Sequence, residues 1–260
     1  QMKKYCLTII LFALCCAPFK VGAQSGTASF RIISMNMREG GEYASYKAQP
    51  YIDFIAKHNP DFVVMQEMDN FTTRNGNKDL LTEIAKGLGM FPYYCKSFTY
   101  QGGGFGVAVL SKYPFYAAGR AVSHPSGARE PRACGWVYVQ LPDRHVVRIA
   151  SVHLAVESEE LRVKNLAEYN TELFKDSVTP TVFAGDFNAL PDSNTLTYAM
   201  NRWQNICGTE GFTIPSKNPT SRLDYIMGAP KKWTCSHFEI VPEPTLSDHC
   251  FLVADLTYTY

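Results

Sequence analysis

The sequence predicts an α/β protein in which helices cover the outer faces of packed β-sheets. Short apolar runs of strand length recur along the chain, helical periodicities fall between some of them, and no Pro-rich linker, low-complexity tract or short repeat divides the 260 residues. One folding unit is therefore expected. With 46% hydrophobic and 19% charged residues, the chain has ordinary globular composition and enough length to bury one substantial core.

Taken in order, the first 23 residues stand apart. Lys3 and Lys4 precede an apolar stretch from Leu7 to Pro18, and Val21-Gly22-Ala23 offers a small-residue cleavage site before Gln24, the pattern of a secretory signal peptide. The stretch falls short of the roughly 20 residues that a membrane-spanning helix needs, so no stable membrane anchor is expected. Cys15 and Cys16 raise lipid anchoring, but Leu14 and Cys15 sit where a lipoprotein signal wants a small residue. The expectation is a leader over residues 1–23 and one exported domain over 24–260, periplasmic or extracellular.

Strands are expected near Phe30 to Met35, Phe62 to Met65, Gly106 to Leu110, Gly135 to Leu141, Val146 to Val152, Thr181 to Ala184, Leu223 to Met227, His237 to Val241 and Phe251 to Leu256. Asn77 is placed to cap a helix carrying Leu80, Leu81, Ile84 and Leu88 and ending at Gly89. Val163, Leu166, Ala167, Asn170 and Leu173 share the face of a second helix, and Tyr46 to His58 forms a third, stopped by Pro60. Gly102-Gly103-Gly104 lacks a following Gly-Lys-Ser/Thr and reads as a flexible loop.

Loss of the leader removes Lys3, Lys4 and Lys20 and no acid, leaving 22 basic against 24 acidic residues and a net charge of about −2. No basic stripe is visible. Proteins that live on nucleic acid draw much of their affinity from neutralising phosphates, so nucleic acid is not the favoured partner. Five cysteines remain after the leader, without CxxC spacing, which argues against structural zinc; export permits disulfides without fixing their connectivity. Cys134 and Cys250, in strand-like runs, read as buried free thiols.

The informative pattern is where polar residues interrupt the apolar runs. Asn36 follows Ile32 to Met35, Gln66 and Glu67 follow Phe62 to Met65, His153 follows Ile149 to Val152, and Asp186 and Asn188 follow Val182 to Gly185. Asp224 lies within Arg222-Leu223-Asp224-Tyr225-Ile226, and Asp248-His249 precedes the last strand. Singly, an Asp or Asn after a strand is ordinary turn chemistry. Together, acids, amides and histidines gathered at strand ends make a hard-metal site with oxygen ligands beside a proton-transfer apparatus, suited to magnesium or manganese rather than zinc.

The chain also resembles the endonuclease/exonuclease/phosphatase (DNase I-like) superfamily. Six motifs carry the resemblance in order: Ser34-Met35-Asn36, Gln66-Glu67, Ser151-Val152-His153-Leu154, Gly185-Asp186-Phe187-Asn188-Ala189, Arg222-Leu223-Asp224-Tyr225-Ile226 and Ser247-Asp248-His249. The resemblance implies a four-layer α/β/β/α sandwich of two face-to-face sheets with outer helices, and a site at one edge. It implies a phosphate-ester hydrolase using in-line attack of water, assisted by Mg2+ (or Mn2+). Glu67 would be the principal metal ligand, with Asn36 and Asp248 close to metal and phosphate. Asp186 would orient or deprotonate water, Asn188 hold a phosphate oxygen, His249 face the scissile phosphate with Asp224 orienting it, and His153 serve as the second histidine. Arg129-Glu130-Pro131 resembles a DNase I-type substrate-binding segment, although Glu130 and Arg132 also admit a surface-charge reading.

A small phosphoester is the preferred substrate on charge balance. The alternatives are a secreted DNase I-like nuclease, a sphingomyelinase-like phosphodiesterase, and a catalytically inactive binding protein on the same scaffold.

Overall fold

The computed structural model describes residues 26–260; the leader expected over residues 1–23 lies outside them. Twelve strands form two six-stranded sheets. In chain order the elements are β1 (Thr27–Asn36), α1 (Arg38–Gly41), α2 (Ala48–His58), β2 (Phe62–Asn70), α3 (Leu80–Leu88), β3 (Phe91–Tyr100), β4 (Gly103–Ser111), β5 (Phe115–Ser123) and β6 (Arg132–Gln140). There follow β7 (Val146–His153), α4 (Glu159–Leu173), β8 (Thr181–Asp186), α5 (Asn194–Met200), β9 (Gln204–Asn205), β10 (Asp224–Ala229), β11 (Trp233–Val241) and β12 (Phe251–Thr259). The first sheet runs β11-β12-β1-β2-β4-β3 and the second β5-β6-β7-β8-β10-β9.

Both faces of each sheet are apolar because both are covered. Along β1, Ile32 points into the core between the sheets while its neighbour Ile33 points outward, as strand geometry requires of successive residues. The inter-sheet core joins Phe62, Val64, Val109 and Leu252 to Val137, Ile149, Val182 and Ile226. Outside the first sheet, Tyr51 and Phe54 of α2 and Leu81 and Ile84 of α3 pack on Val63, Met65 and Val253. Outside the second, Leu166 and Tyr169 of α4 and Leu196 of α5 pack on Val152, Phe183 and Tyr225. The order of layers is α/β/β/α, as the resemblance implied.

Several local expectations need correction. The side chain that caps α3 is Asp79, which accepts from the Thr82 N–H at 3.1 Å; Asn77 instead occupies a left-handed turn position with φ 58°. Helix α2 begins at Ala48 rather than Tyr46. The buried face of α4 is Leu161, Asn165, Leu166, Tyr169, Asn170 and Leu173, so Val163 and Ala167 lie at its margin. The Gly102–Gly104 segment turns the β3–β4 hairpin, and β4 already begins at Gly103. Strands β3 and β5 escaped the apolar-run criterion because they mix aromatic, alanine and polar residues at half-exposed positions. Cys134 and Cys250 are buried free thiols, as expected. Among the described residues no helix is long and apolar enough to cross a membrane.

Candidate active site

Sheet register brings the separated motifs together. In the second sheet Asp186 of β8 pairs with His153 of β7 on one side and with Asp224 of β10 on the other, so three polar residues face one strand end. In the first sheet Asn36 of β1 pairs with Gln66 of β2. Immediately beyond, the β2–β4 ladder slips between Met65 and Met68, and Glu67 takes φ 55°. A bulge with a left-handed residue re-aims a side chain out of the pleat, and a non-glycine residue held there stores about 1 kcal/mol or more of strain. That distortion turns Glu67 into the cleft. Beneath it, Gln66 Nε2 donates to Ser151 Oγ (3.1 Å) and Ser151 Oγ donates to the Met65 carbonyl (2.9 Å), bolting the two sheets together under the site.

The side chains form one connected network. Asn36 Nδ2 donates to Glu67 Oε1 at 3.2 Å and to Asp186 Oδ2 at 3.1 Å, and the Glu39 N–H donates to Glu67 Oε2 at 3.0 Å. The Asn188 N–H donates to Asp186 Oδ1 at 2.8 Å. His249 Nδ1 lies 2.9 Å from Asp224 Oδ2, while its Nε2 lies 3.8 Å from Asp186 Oδ2. His153 Nε2 is 3.5 Å from the same Asp186 oxygen. Asp186, Asp224, Asn36, His153 and His249 are all at most 4% exposed, whereas Glu67, Asn188 and Asp248 are partly open to the cleft.

Burial separates the two imidazoles. For His249 burial opposes charge, but the Asp224 and Asp186 carboxylates outweigh it and lift the ring to about 10, which makes it an imidazolium. His153 is pushed well below the usual histidine range by burial, then by Arg132 and His249. It is neutral and accepts from Arg132 Nη1 at 3.1 Å. Burial also lifts Asp186 to about 7, with Asp224 and Glu67 adding to the rise and His249 and the Asn188 N–H opposing it.

Among the described residues two groups hold donor atoms within 4.8 Å of one another: Glu67 with His153 and Asp186, and Asp186 with Asp224 and His249. In the second, His249 is held as an imidazolium by the Asp224 and Asp186 carboxylates and has no lone pair for a metal. The first fits a hard divalent cation. Each Glu67 oxygen accepts a single N–H and retains lone pairs toward the cleft, and carboxylate oxygens with one neutral imidazole suit Mg2+ or Mn2+. Asp248 lines the same cleft but leans toward Arg38, with 3.6 Å from its Oδ2 to Arg38 Nε.

Of the weaker candidates, Glu130 and Arg132 line the cleft as an ion pair (2.9 Å), while Arg129 is exposed, outside the lining, with its N–H on Glu157. Residues that the motifs did not single out complete the walls: Arg38, Glu39 and Arg74 on one side, with Tyr100 and Phe105 against the Arg74 guanidinium and Phe98 packed on those two rings. Of the tyrosines in segments flanking the site, Tyr100 reaches the cleft. A sequence signal existed in the run Arg38-Glu39, which follows Asn36 after one intervening residue.

Residues 33–249 match the family described as Endonuclease/Exonuclease/phosphatase. The chain belongs to that family. It is accordingly a hydrolase of phosphoester bonds. Solved structures share the fold at low identity. A Bacteroides thetaiotaomicron member of the family is 16% identical with a TM-score of 0.74, covering 90% of this chain and 97% of its own. A mannosyl-6-phosphatase from B. thetaiotaomicron VPI-5482 is 16% identical with a TM-score of 0.71, covering 87% and 98%. The human Nocturnin catalytic domain, solved with a bound sulfate anion, is 15% identical with a TM-score of 0.72, covering 90% and 98%. No curated protein matches the chain significantly by sequence.

Proposed function

We propose that this chain is an exported phosphoesterase that uses Mg2+ or Mn2+ and acts on compact phosphoesters. One observation carries the substrate reading: every arginine lining the cleft is already tied to a carboxylate. Arg38 meets Asp248, Arg74 meets Glu39 at 2.8 Å and Asp69 at 2.6 Å, and Arg132 meets Glu130. A duplex-binding enzyme instead needs unpaired cations to replace condensed counterions. The aromatic wall of Phe98, Tyr100 and Phe105 offers a face for the organic part of a small ester.

In this reading Glu67, with Asn36 and Asp248 nearby, holds the cation, which when bound would neutralise charge developing on the non-bridging oxygens. Asp186 orients water and takes its proton, a role suited to a carboxyl lifted toward neutrality by burial. His249, charged and fixed by Asp224, presents Nε2 to the phosphate and stabilises its added negative charge. Asn188 Nδ2 donates one hydrogen to the Leu154 carbonyl at 3.1 Å and retains the other for a phosphate oxygen. His153, neutral and held by Arg132, lines the same wall. The preference for export rests on the Lys3 to Ala23 leader pattern.

The second reading, a secreted nuclease, is favoured by the gathering of Arg38, Arg74 and Arg132 in one cleft. Rates on plasmid DNA, a sphingomyelin-type lipid and a panel of small phosphomonoesters and diesters, at matched metal and salt, discriminate. The small esters should turn over fastest and with little salt dependence. Rapid plasmid cleavage that falls steeply with salt would make the protein a nuclease.

A further inference from the structure

Cys207 and Cys235 come together across the two sheets at the edge opposite β3 and β5. Cys207 follows β9, the edge strand of the second sheet, and Cys235 lies on β11, the edge strand of the first. Their sulfurs are 3.4 Å apart, and both side chains pack against the inter-sheet core. Here β11 carries a register irregularity between Cys235 and His237, a local kink at the cysteine. Among the described residues the other cysteines, Cys95, Cys134 and Cys250, are buried free thiols, and Cys95 Sγ donates to the Cys134 carbonyl (3.8 Å).

We propose that Cys207 and Cys235 form a disulfide that staples β9 to β11 and closes the edge of the sandwich. The inference is independent of the substrate. The Cys207 thiol donates to the Cys235 sulfur, which holds Cys235 below the usual thiol range and makes it the attacking thiolate. Cys235 attacks one sulfur of an incoming protein disulfide, carried by a thiol–disulfide oxidoreductase, and forms a mixed disulfide. Cys207 then gives its proton to water and attacks the Cys235 sulfur. The intramolecular bond closes, and the carrier leaves as a dithiol holding the two electrons.

The bond would fix the segment that follows Cys207, and this segment reaches the active site. The Arg222 guanidinium contacts the Gly208 and Glu210 carbonyls and stacks on Phe238 of β11 (5.2 Å). Thr213 Oγ1 accepts from the Leu223 N–H (3.0 Å) and the Asp224 N–H (3.3 Å). Closing a loop of this span restrains the unfolded chain and should raise thermal stability by roughly 5–10 °C.

The test is differential alkylation of the full chain after equilibration in an oxidising glutathione couple, followed by denaturation and peptide mapping. Among the five described cysteines, label should enter Cys95, Cys134 and Cys250 only without reductant, and all five with reductant. Thermal unfolding supplies the second arm. Reductant should lower the Tm of the native chain but not that of Cys207→Ser, Cys235→Ser or the double variant, and the three variants should share one Tm. Labelling of Cys207 and Cys235 without reductant, a different pairing, or additive and reductant-independent losses in the variants would overturn the proposal.

Discussion

Asp186 stands where four groups meet: the Asn36 amide, the Asn188 N–H, and the ring edges of His153 and His249 all approach its two oxygens. A buried carboxyl so surrounded has its geometry fixed before substrate arrives, which is where preorganisation lowers a barrier. Asp186→Ala or His249→Ala should each reduce turnover by at least about 10²-fold, the scale of a lost general acid or base, with far-UV circular dichroism unchanged. Near-native turnover in either variant would show the reacting centre to be elsewhere. Each of these residues was legible in the sequence at the end of an apolar run or, for His249, just before one. The walls were not. Arg74 gains its place through a short-range pair with Asp69 and a long-range one with Glu39, and Tyr100 by closure of a hairpin, contacts that no apolar run announces.

At the scale of elements, the site depends on strand ends meeting in register. Gly185, one residue before Asp186, has φ 150°, and a Cβ there would sit 2.0 Å from the Val152 carbonyl and 2.9 Å from Gln66 Nε2. Gly185→Ala must push β8 from β7 and loosen the inter-sheet bolt. The expected loss is about 3 kcal/mol or more, read as a fall of roughly 10 °C in Tm. An unchanged Tm would mean that the strands yield more easily than their hydrogen bonds suggest. On the outer part of the first sheet, Arg31 grips Asp255 with both carboxylate oxygens, at 2.6 and 2.7 Å, and joins β1 to β12. Those hydrogen bonds hold the Asp255 carboxyl below the usual range. Its contribution is therefore present above the unfolded value of ~3.9 and is lost as pH falls through the lower folded value. Because both side chains are about one-third exposed, solvent screening limits the effect: Asp255→Asn should lose about 0.5–1 kcal/mol near neutral pH. That difference, read from urea midpoints, should narrow below about pH 4; a constant difference would assign it to packing.

For the whole molecule, the layered fold was readable because strands covered on both faces must be apolar on both, and that gives continuous runs such as Ile32-Ile33 and Phe62 to Met65. Half-exposed β3 and β5 carry no such demand and stayed silent. The segment between β9 and β10 was equally silent, although the Ser216 N–H donates to the Asp248 carbonyl at 2.6 Å and the Cys250 N–H to the Thr213 carbonyl at 2.7 Å, fixing the turn that presents His249. Hydroxyls and amides in such loops have generic sequence roles until their tertiary partners are known. The whole arrangement converges on a cleft where Glu67 and Asp186 face each other with lone pairs to spare, and the account stands on that cleft holding a divalent cation during phosphoester hydrolysis. The most direct measurement is turnover after exhaustive EDTA treatment and Mg2+ or Mn2+ add-back, with calorimetric titration of the same ions into the native chain and Glu67→Gln. Activity should vanish on chelation and return on add-back, and Glu67→Gln should lose both ion binding and turnover; full activity after thorough chelation would contradict the account.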